Sequence, residues 1–127
     1  MKIIILDTSF ILSAIKYRAD INNGLIPLLD GPFEIIVPSP VVSELRYLAQ
    51  NKGKRGTYAN VGLGAMRIIN PKVEQTQNKM ADEAIREIAE KYPDAIICTN
   101  DAKLKESLKR RGRIVYSIKG ASFIGQA

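Results

Sequence analysis

At 127 residues the chain has the length of one domain, and its apolar fraction of 46% is enough for a real core. It contains no histidine and a single cysteine, Cys98. This excludes imidazole-dependent hydrolysis of the Ser-His-Asp or Cys-His kind, the usual histidine zinc sites, and any disulfide within the chain. Lys plus Arg number 19 against 13 Asp plus Glu, a formal charge of +6, and no apolar stretch reaches the roughly 20 residues of a membrane span.

Ile3-Ile4-Ile5-Leu6 is a continuous apolar run that predicts a buried strand, ending abruptly on Asp7-Thr8-Ser9. Met1-Lys2 leads straight into it, so no signal peptide is expected and the cytoplasm is the expected compartment. Phe10 to Tyr17 and Leu25 to Leu29 have helical spacing, and residues 33–37 read as a second strand. Ser39-Pro40 opens a helix, with serine as its cap and proline at its first position, running to about Asn51. Gly53-Lys54-Arg55-Gly56 reads as a flexible basic loop before a helix over 58–68. Pro71 ends that helix, and Lys72 to Gln75 adds a short edge strand.

Residues 79–91 and 102–111 are helical, the latter stopped by Gly112, and runs at 95–98 and 114–118 are strands. Cys98 falls inside an apolar run and is expected to be a buried, inert thiol. The alternation of strands and helices predicts an α/β fold: a parallel sheet of four to five strands with helices on both faces, in one domain spanning 1–127. No repeat, low-complexity tract or linker interrupts it.

The acids are placed unlike ordinary surface charges. Asp7 ends the first strand and Asp101 follows the strand that contains Cys98, so both belong at the carboxyl edge of the sheet. Glu44 and Asp82 lie near the starts of helices, which begin at that same edge. On the helix over 79–91 the apolar stripe is Ala81, Ala84, Ile85, Ile88 and Ala89, with Glu83, Glu87 and Glu90 opposite and Asp82 at the border. Glu44 occupies the equivalent border beside Leu48. Any one of these acids is explained by helix capping or by the positive end of a helix. Four together concentrate negative charge that needs a cation, and carboxylates with nothing softer nearby suit Mg²⁺ or Mn²⁺. Thr8, Ser9, Thr99 and Asn100 supply hydroxyls and an amide to orient the acids, the waters of the cation or the substrate.

The basic residues are also clustered. Seven lie between Lys103 and Lys119 with only Glu106 among them, and Arg46, Lys52, Lys54 and Arg55 form a second group. Such clusters fit a polyanion partner or, equally on charge alone, a solvated helix face.

Taken in order, the motifs LDTSFIL, PSPVVSELRYL, MADEAIREIA and IICTNDAKLKESLKRRG resemble those of the PIN-domain nucleases over nearly the whole chain. The resemblance places Asp7, Glu44, Asp82 and Asp101 as the four acids and Ser9 at the small polar position beside the first. It implies a parallel sheet flanked by helices, RNA as substrate, and Mg²⁺ or Mn²⁺ held by the acids. Composition and spacing reach only a polyanion and a hard cation. The reaction is then metal-assisted phosphodiester hydrolysis. Asp7, Asp82 and Asp101 would hold one or two cations, with Glu44 completing the second position or orienting water.

Lys52, Lys54, Arg55, Lys103 and Arg110 are the residues expected to hold the RNA backbone. The lysine-rich helix after Thr-Asn-Asp and the extra strand near Lys72 resemble the ribosomal-RNA-processing branch slightly more than the ribonuclease toxins of toxin–antitoxin pairs. The partners implied are RNA, a second copy in a homodimer, and either ribosome-assembly factors or an antitoxin protein, with no membrane. Asp94 precedes its strand, belongs at the opposite edge and is left out of the site.

Two enzymatic rivals fit poorly. A haloacid-dehalogenase-type phosphatase needs a second Asp where Ser9 stands, and a receiver needs paired acids near the first strand. The rival from another class is a non-catalytic RNA-binding module that keeps the acids for structure.

Overall fold

The computed structural model describes residues 1–120 and 122–127. Its strands are β1 (Lys2–Leu6), β2 (Phe33–Pro38), β3 (Lys72–Glu74), β4 (Ile96–Cys98), β5 (Ile114–Lys119) and β6 (Phe123–Gln126). They form one six-stranded sheet in the order β3-β2-β1-β4-β5-β6. The first five are mutually parallel and β6 runs antiparallel to β5.

The helices are α1 (Thr8–Lys16), α2 (Ile21–Leu25), α3 (Ser39–Ala49), α4 (Lys54–Ile69), α5 (Ala81–Lys91) and α6 (Ala102–Arg110). A 3-10 turn over Ile26–Leu28 continues α2, so the helix expected at Leu25 to Leu29 begins earlier and tightens at Pro27. No described helix is long and apolar enough to cross a membrane.

The strand order explains the layers. From β1 the chain moves outward through β2 to β3, returns to the other side of β1 as β4, and continues to β5. Right-handed crossovers put the helices of the outward path on one face and α5 and α6, from the return, on the other. This is the three-layer α/β/α arrangement expected. The core follows from the apolar runs: Ile4, Ile5, Leu6, Ile36, Val37 and Ile97 are all fully buried in the central strands. Cys98 is buried and unpaired, and burial pushes its thiol pKa upward, which fits an inert thiol.

Three details differ from the reading of the sequence. Strand β6 is additional: its two adjacent large apolar residues, Phe123 and Ile124, carry little period of their own, and pairing with β5 makes it a strand. Ser39 is the first helical residue of α3 and makes no capping bond; Pro38, in extended conformation, holds the cap position. Finally, Lys54 and Arg55 belong to α4 and form its first turn. Gly56 is buried there, and a Cβ on it would stand 1.8 Å from the carbonyl oxygen of Asn51. Glycine at this position permits close packing of the α3–α4 corner and is not a mark of flexibility. Asn60 reinforces the corner, donating from Nδ2 to the carbonyls of Ala49 at 3.0 Å and Gly56 at 3.2 Å.

Candidate active site

The strand order reverses between β1 and β4, and in open α/β sheets the crevice outside the carboxyl ends at such a point is where ligands bind. Asp7 leaves β1 there, its amide donating to the Cys98 carbonyl at 3.0 Å. Across the crevice, β4 runs out through Thr99, Asn100 and Asp101 into α6.

Asp7 is only 3% exposed. It occupies the cap position of α1, but its side chain accepts nothing from the helix backbone. Instead its Oδ2 accepts from Ser9 Oγ at 2.7 Å and from Thr99 Oγ1 at 2.8 Å. These hydroxyls also lie 3.1 Å apart, and each accepts from the chain beyond β4: Asn100 N reaches Ser9 Oγ and Asp101 N reaches Thr99 Oγ1, both at 3.0 Å. Ser9 and Thr99 thus fix the first carboxylate and the loop bearing the last one in a single network.

Asp101 does cap α6, its Oδ1 accepting from Leu104 N at 2.9 Å. Asn100 faces the other way. Its amide donates to the Ile118 carbonyl at 3.0 Å and accepts from the Ile118 amide at 2.9 Å, which clasps the end of β4 to β5. Ser117, buried, adds a bond from Oγ to the Thr99 carbonyl at 2.7 Å.

Asp82 sits in the first turn of α5 and Glu44 in the second turn of α3, both exposed at their helix surfaces. Their relation to the other acids is electrostatic. Partial desolvation by the surrounding protein raises the Asp82 pKa first, Asp7 and Asp101 raise it further, and Glu44 adds to them against the lowering effect of Arg86. Asp82 therefore lies within electrostatic reach of each of the other three acids. Even so, among the described residues no three carboxylates are grouped closely enough to hold a metal ion. The two observations concern different ranges, since like charges act on one another well beyond ligand distance. The donor set itself fits a hard cation, being entirely oxygen, with Asp7 Oδ2 occupied by hydroxyls and Oδ1 left for a ligand.

The basic residues divide. Lys103 is exposed in the first turn of α6, next to Asp101. Arg110 ends that helix, about 13 Å along its axis from the crest, and pairs with Glu106. Lys52, Lys54 and Arg55 crowd the α3–α4 corner, beyond the end of α3 that lies away from the crest. Asp94 lines a separate groove with Met1, Lys2 and Lys91 at the opposite edge of the sheet.

Some residues gain roles that their sequence positions did not suggest. Arg86 moderates Asp82 and also bonds Glu83 at 2.7 Å and Ser107 at 3.2 Å; its place one helical turn after Asp82 was the available sign. Glu87, expected to face solvent idly, accepts from the backbone amides of Gln77 and Asn78 and so holds the approach to α5. Those amides place its carboxyl below the usual range. Thr8 Oγ1 is buried without a hydrogen-bond partner among the described residues.

Residues 4–121 match the family model described as a PIN like domain. The chain is 33% identical over 108 residues to Ribonuclease VapC4 of Methanocaldococcus jannaschii, covering 83% of this chain and 81% of that protein. Among solved structures it is similar to the PIN domain endonuclease Utp24, with a TM-score of 0.77 at 22% identity, over 98% of this chain and 90% of that one. It is also similar to a domain of a functionally unknown protein from Methanocaldococcus jannaschii, with a TM-score of 0.67 at 24% identity, over 96% and 94% of the two chains. These two structures share the fold; the family model and VapC4 carry the assignment, and by them the chain belongs to the PIN-domain family.

Proposed function

We propose that the protein is a metal-dependent endoribonuclease that hydrolyses RNA phosphodiester bonds, with Asp7, Glu44, Asp82 and Asp101 as its catalytic and metal-binding acids. The observation that carries this reading is the buried Asp7 carboxylate at the β1–β4 crevice, held through Oδ2 by Ser9 and Thr99, whose hydroxyls also tie down the loop that bears Asp101. Membership of the family supports a nuclease activity in general, and the name Ribonuclease VapC4 supports RNA as the substrate.

Asp7, Asp82 and Asp101 would hold Mg²⁺ or Mn²⁺, with Glu44 completing a second position or orienting water. When bound, a hard divalent cation would supply a nucleophilic water at neutral pH without an imidazole base and would offset charge on the phosphate oxygens. Ser9 and Thr99 hold the Asp7 carboxylate in place through Oδ2. Asn100 fixes the loop that carries Asp101, an indirect part in the orienting role first read for it. Lys103 lies beside the crest, and Lys52, Lys54 and Arg55 hold the RNA backbone at a distance from the cut. Arg110, paired and remote, has the weakest claim among the basic residues.

Ribosomal RNA is the substrate class favoured by β3 and the lysine-rich α6, the features that resemble the processing branch. The second reading, a toxin ribonuclease with an antitoxin partner, is supported by the identity with VapC4. End-labelled structured and single-stranded RNA incubated with EDTA, Mg²⁺ or Mn²⁺ tests the common core of both. Internal cleavage that needs metal and Asp7 supports it; a pure protein that binds RNA and never cuts it would leave the non-catalytic module.

A further inference from the structure

We propose that Tyr47 is a base-stacking residue, and that single-stranded RNA runs along α3 from the acid crest to the basic α3–α4 corner; this rests on the ribonuclease reading. Tyr47 is 68% exposed, which leaves a face of its ring open to stack on a base. It lies three residues after Glu44, so the two share one flank of α3 a turn apart. In the ribonuclease reading Glu44 belongs to the acid crest, and α3, which carries it, starts at the carboxyl end of β2 and packs beside α5, which carries Asp82.

Beyond Tyr47, α3 ends at Ala49, and Lys52, Lys54 and Arg55 follow at once, all exposed. The corner is rigid, being closed by Gly56 against Asn51 and by Asn60 on the Ala49 carbonyl. Lys54 and Arg55 also occupy the first turn of α4, where no acid accompanies them and the helix dipole disfavours cations. An anion bound at the corner relieves that mismatch.

The order along α3 is therefore carboxylate, exposed aromatic ring, then cations. It matches the two elements of single-strand recognition, a charged track for phosphates and a π-face for a base. A duplex keeps its bases stacked inside and offers Tyr47 nothing comparable.

The test is binding of a fluorescein-labelled 12-nucleotide uridylate strand and of a 12-base-pair RNA duplex to the whole protein in EDTA. Tyr47→Ala is expected to weaken single-strand binding about tenfold, leave duplex binding within about twofold, and keep the salt dependence of the parent. Tyr47→Phe is expected to bind as the parent does. Equal melting temperatures would show that the variants fold. Single-strand binding unchanged in Tyr47→Ala overturns the proposal, as do equal losses on strand and duplex, or a parent that binds no RNA. Cleavage is not read here, so a failure at Tyr47 stays distinct from a failure of the nuclease assignment, which Asp7→Asn decides.

Discussion

Thr99 Oγ1 donates to Asp7 Oδ2 at 2.8 Å, joining residues 92 positions apart across the β1–β4 crevice. Together with Ser9 at 2.7 Å it gives the buried carboxylate two hydroxyl partners, while α1 gives it none. Asp7 holds the cap position of α1, but its carboxylate does not cap the helix. The side chain is committed to the crevice, and this separates two roles that the sequence leaves entangled.

Asp7→Asn follows from that separation. An amide oxygen still accepts from Ser9 and Thr99, and no cap bond exists to lose. Removing a charge also relieves repulsion on Asp82. Metal-free melting temperature is therefore expected to stay level or rise, while metal-dependent cleavage is abolished. Saturating Mg²⁺ or Mn²⁺ should stabilise the parent by mass action, by about 2.7 kcal/mol at a hundredfold excess over Kd, and the variant much less. Glu83→Gln breaks only an exposed pair with Arg86 and should alter neither property. Lower metal-free stability with retained activity in Asp7→Asn would return Asp7 to a structural role.

Asp101 needs a different design because it has two roles. Its Oδ1 caps α6 through Leu104 N, so Asp101→Ala removes both the cap and the charge and should cost ~1 kcal/mol of stability. Asp101→Asn keeps a capping oxygen and should lose cleavage at nearly unchanged stability. Thermal melts of the pair, run beside cleavage assays, separate the two effects. If both variants cut RNA normally, Asp101 is a cap alone.

How much of this was legible from the chain depends on what each feature rests on. The parallel sheet and the convergence of Asp7 with Asp101 were readable because apolar runs ending on acids fix both strand and edge. The choice of β1 and β4 as neighbours was not, since it depends on a crossover direction that no local pattern records. Glu87 looked like a surface charge because its partners are backbone amides of a loop, which have no sequence signature. The Lys54–Arg55 segment was misread for a related reason. Glycine at 53 and 56 lowers helix propensity, but packing against Asn51 decides the outcome, and packing is invisible until the fold exists.

Charge reversal at the corner should oppose stability to binding. Lys54→Glu with Arg55→Glu places acids in the first turn of α4, where the dipole favours them, so the melting temperature is expected to rise slightly. RNA affinity is expected to fall, and the slope of log K against log salt to flatten as phosphate contacts disappear. A titration series from low to physiological salt checks this. An unchanged slope would remove the corner from the RNA path.

Glu74 gives the pH dependence. Its side chain, 10% exposed at the end of β3, accepts from Tyr92 Oη at 3.0 Å and Lys91 Nζ at 3.3 Å, with Lys72 Nζ at 3.5 Å. Burial pushes its pKa up, but the Tyr92 hydroxyl and the two ammonium groups outweigh it and leave the carboxyl below its ordinary 4.5. The native state therefore binds this proton more weakly than the unfolded chain. The stabilisation is complete at pH values well above 4.5, declines once the unfolded chain begins to protonate, and is gone below the native pKa. Glu74→Gln is expected to cost about 1 kcal/mol or less at pH 7, since Lys91 and Lys72 are largely solvated, and Tyr92→Phe a part of that. The difference between parent and Glu74→Gln should close as the pH falls through 4.5 and below the lowered native pKa. Urea melts at several pH values across that window measure it directly. A gap that stays constant down to the lowest pH would mean that the glutamate stabilises the sheet edge by packing, with no contribution from its charge.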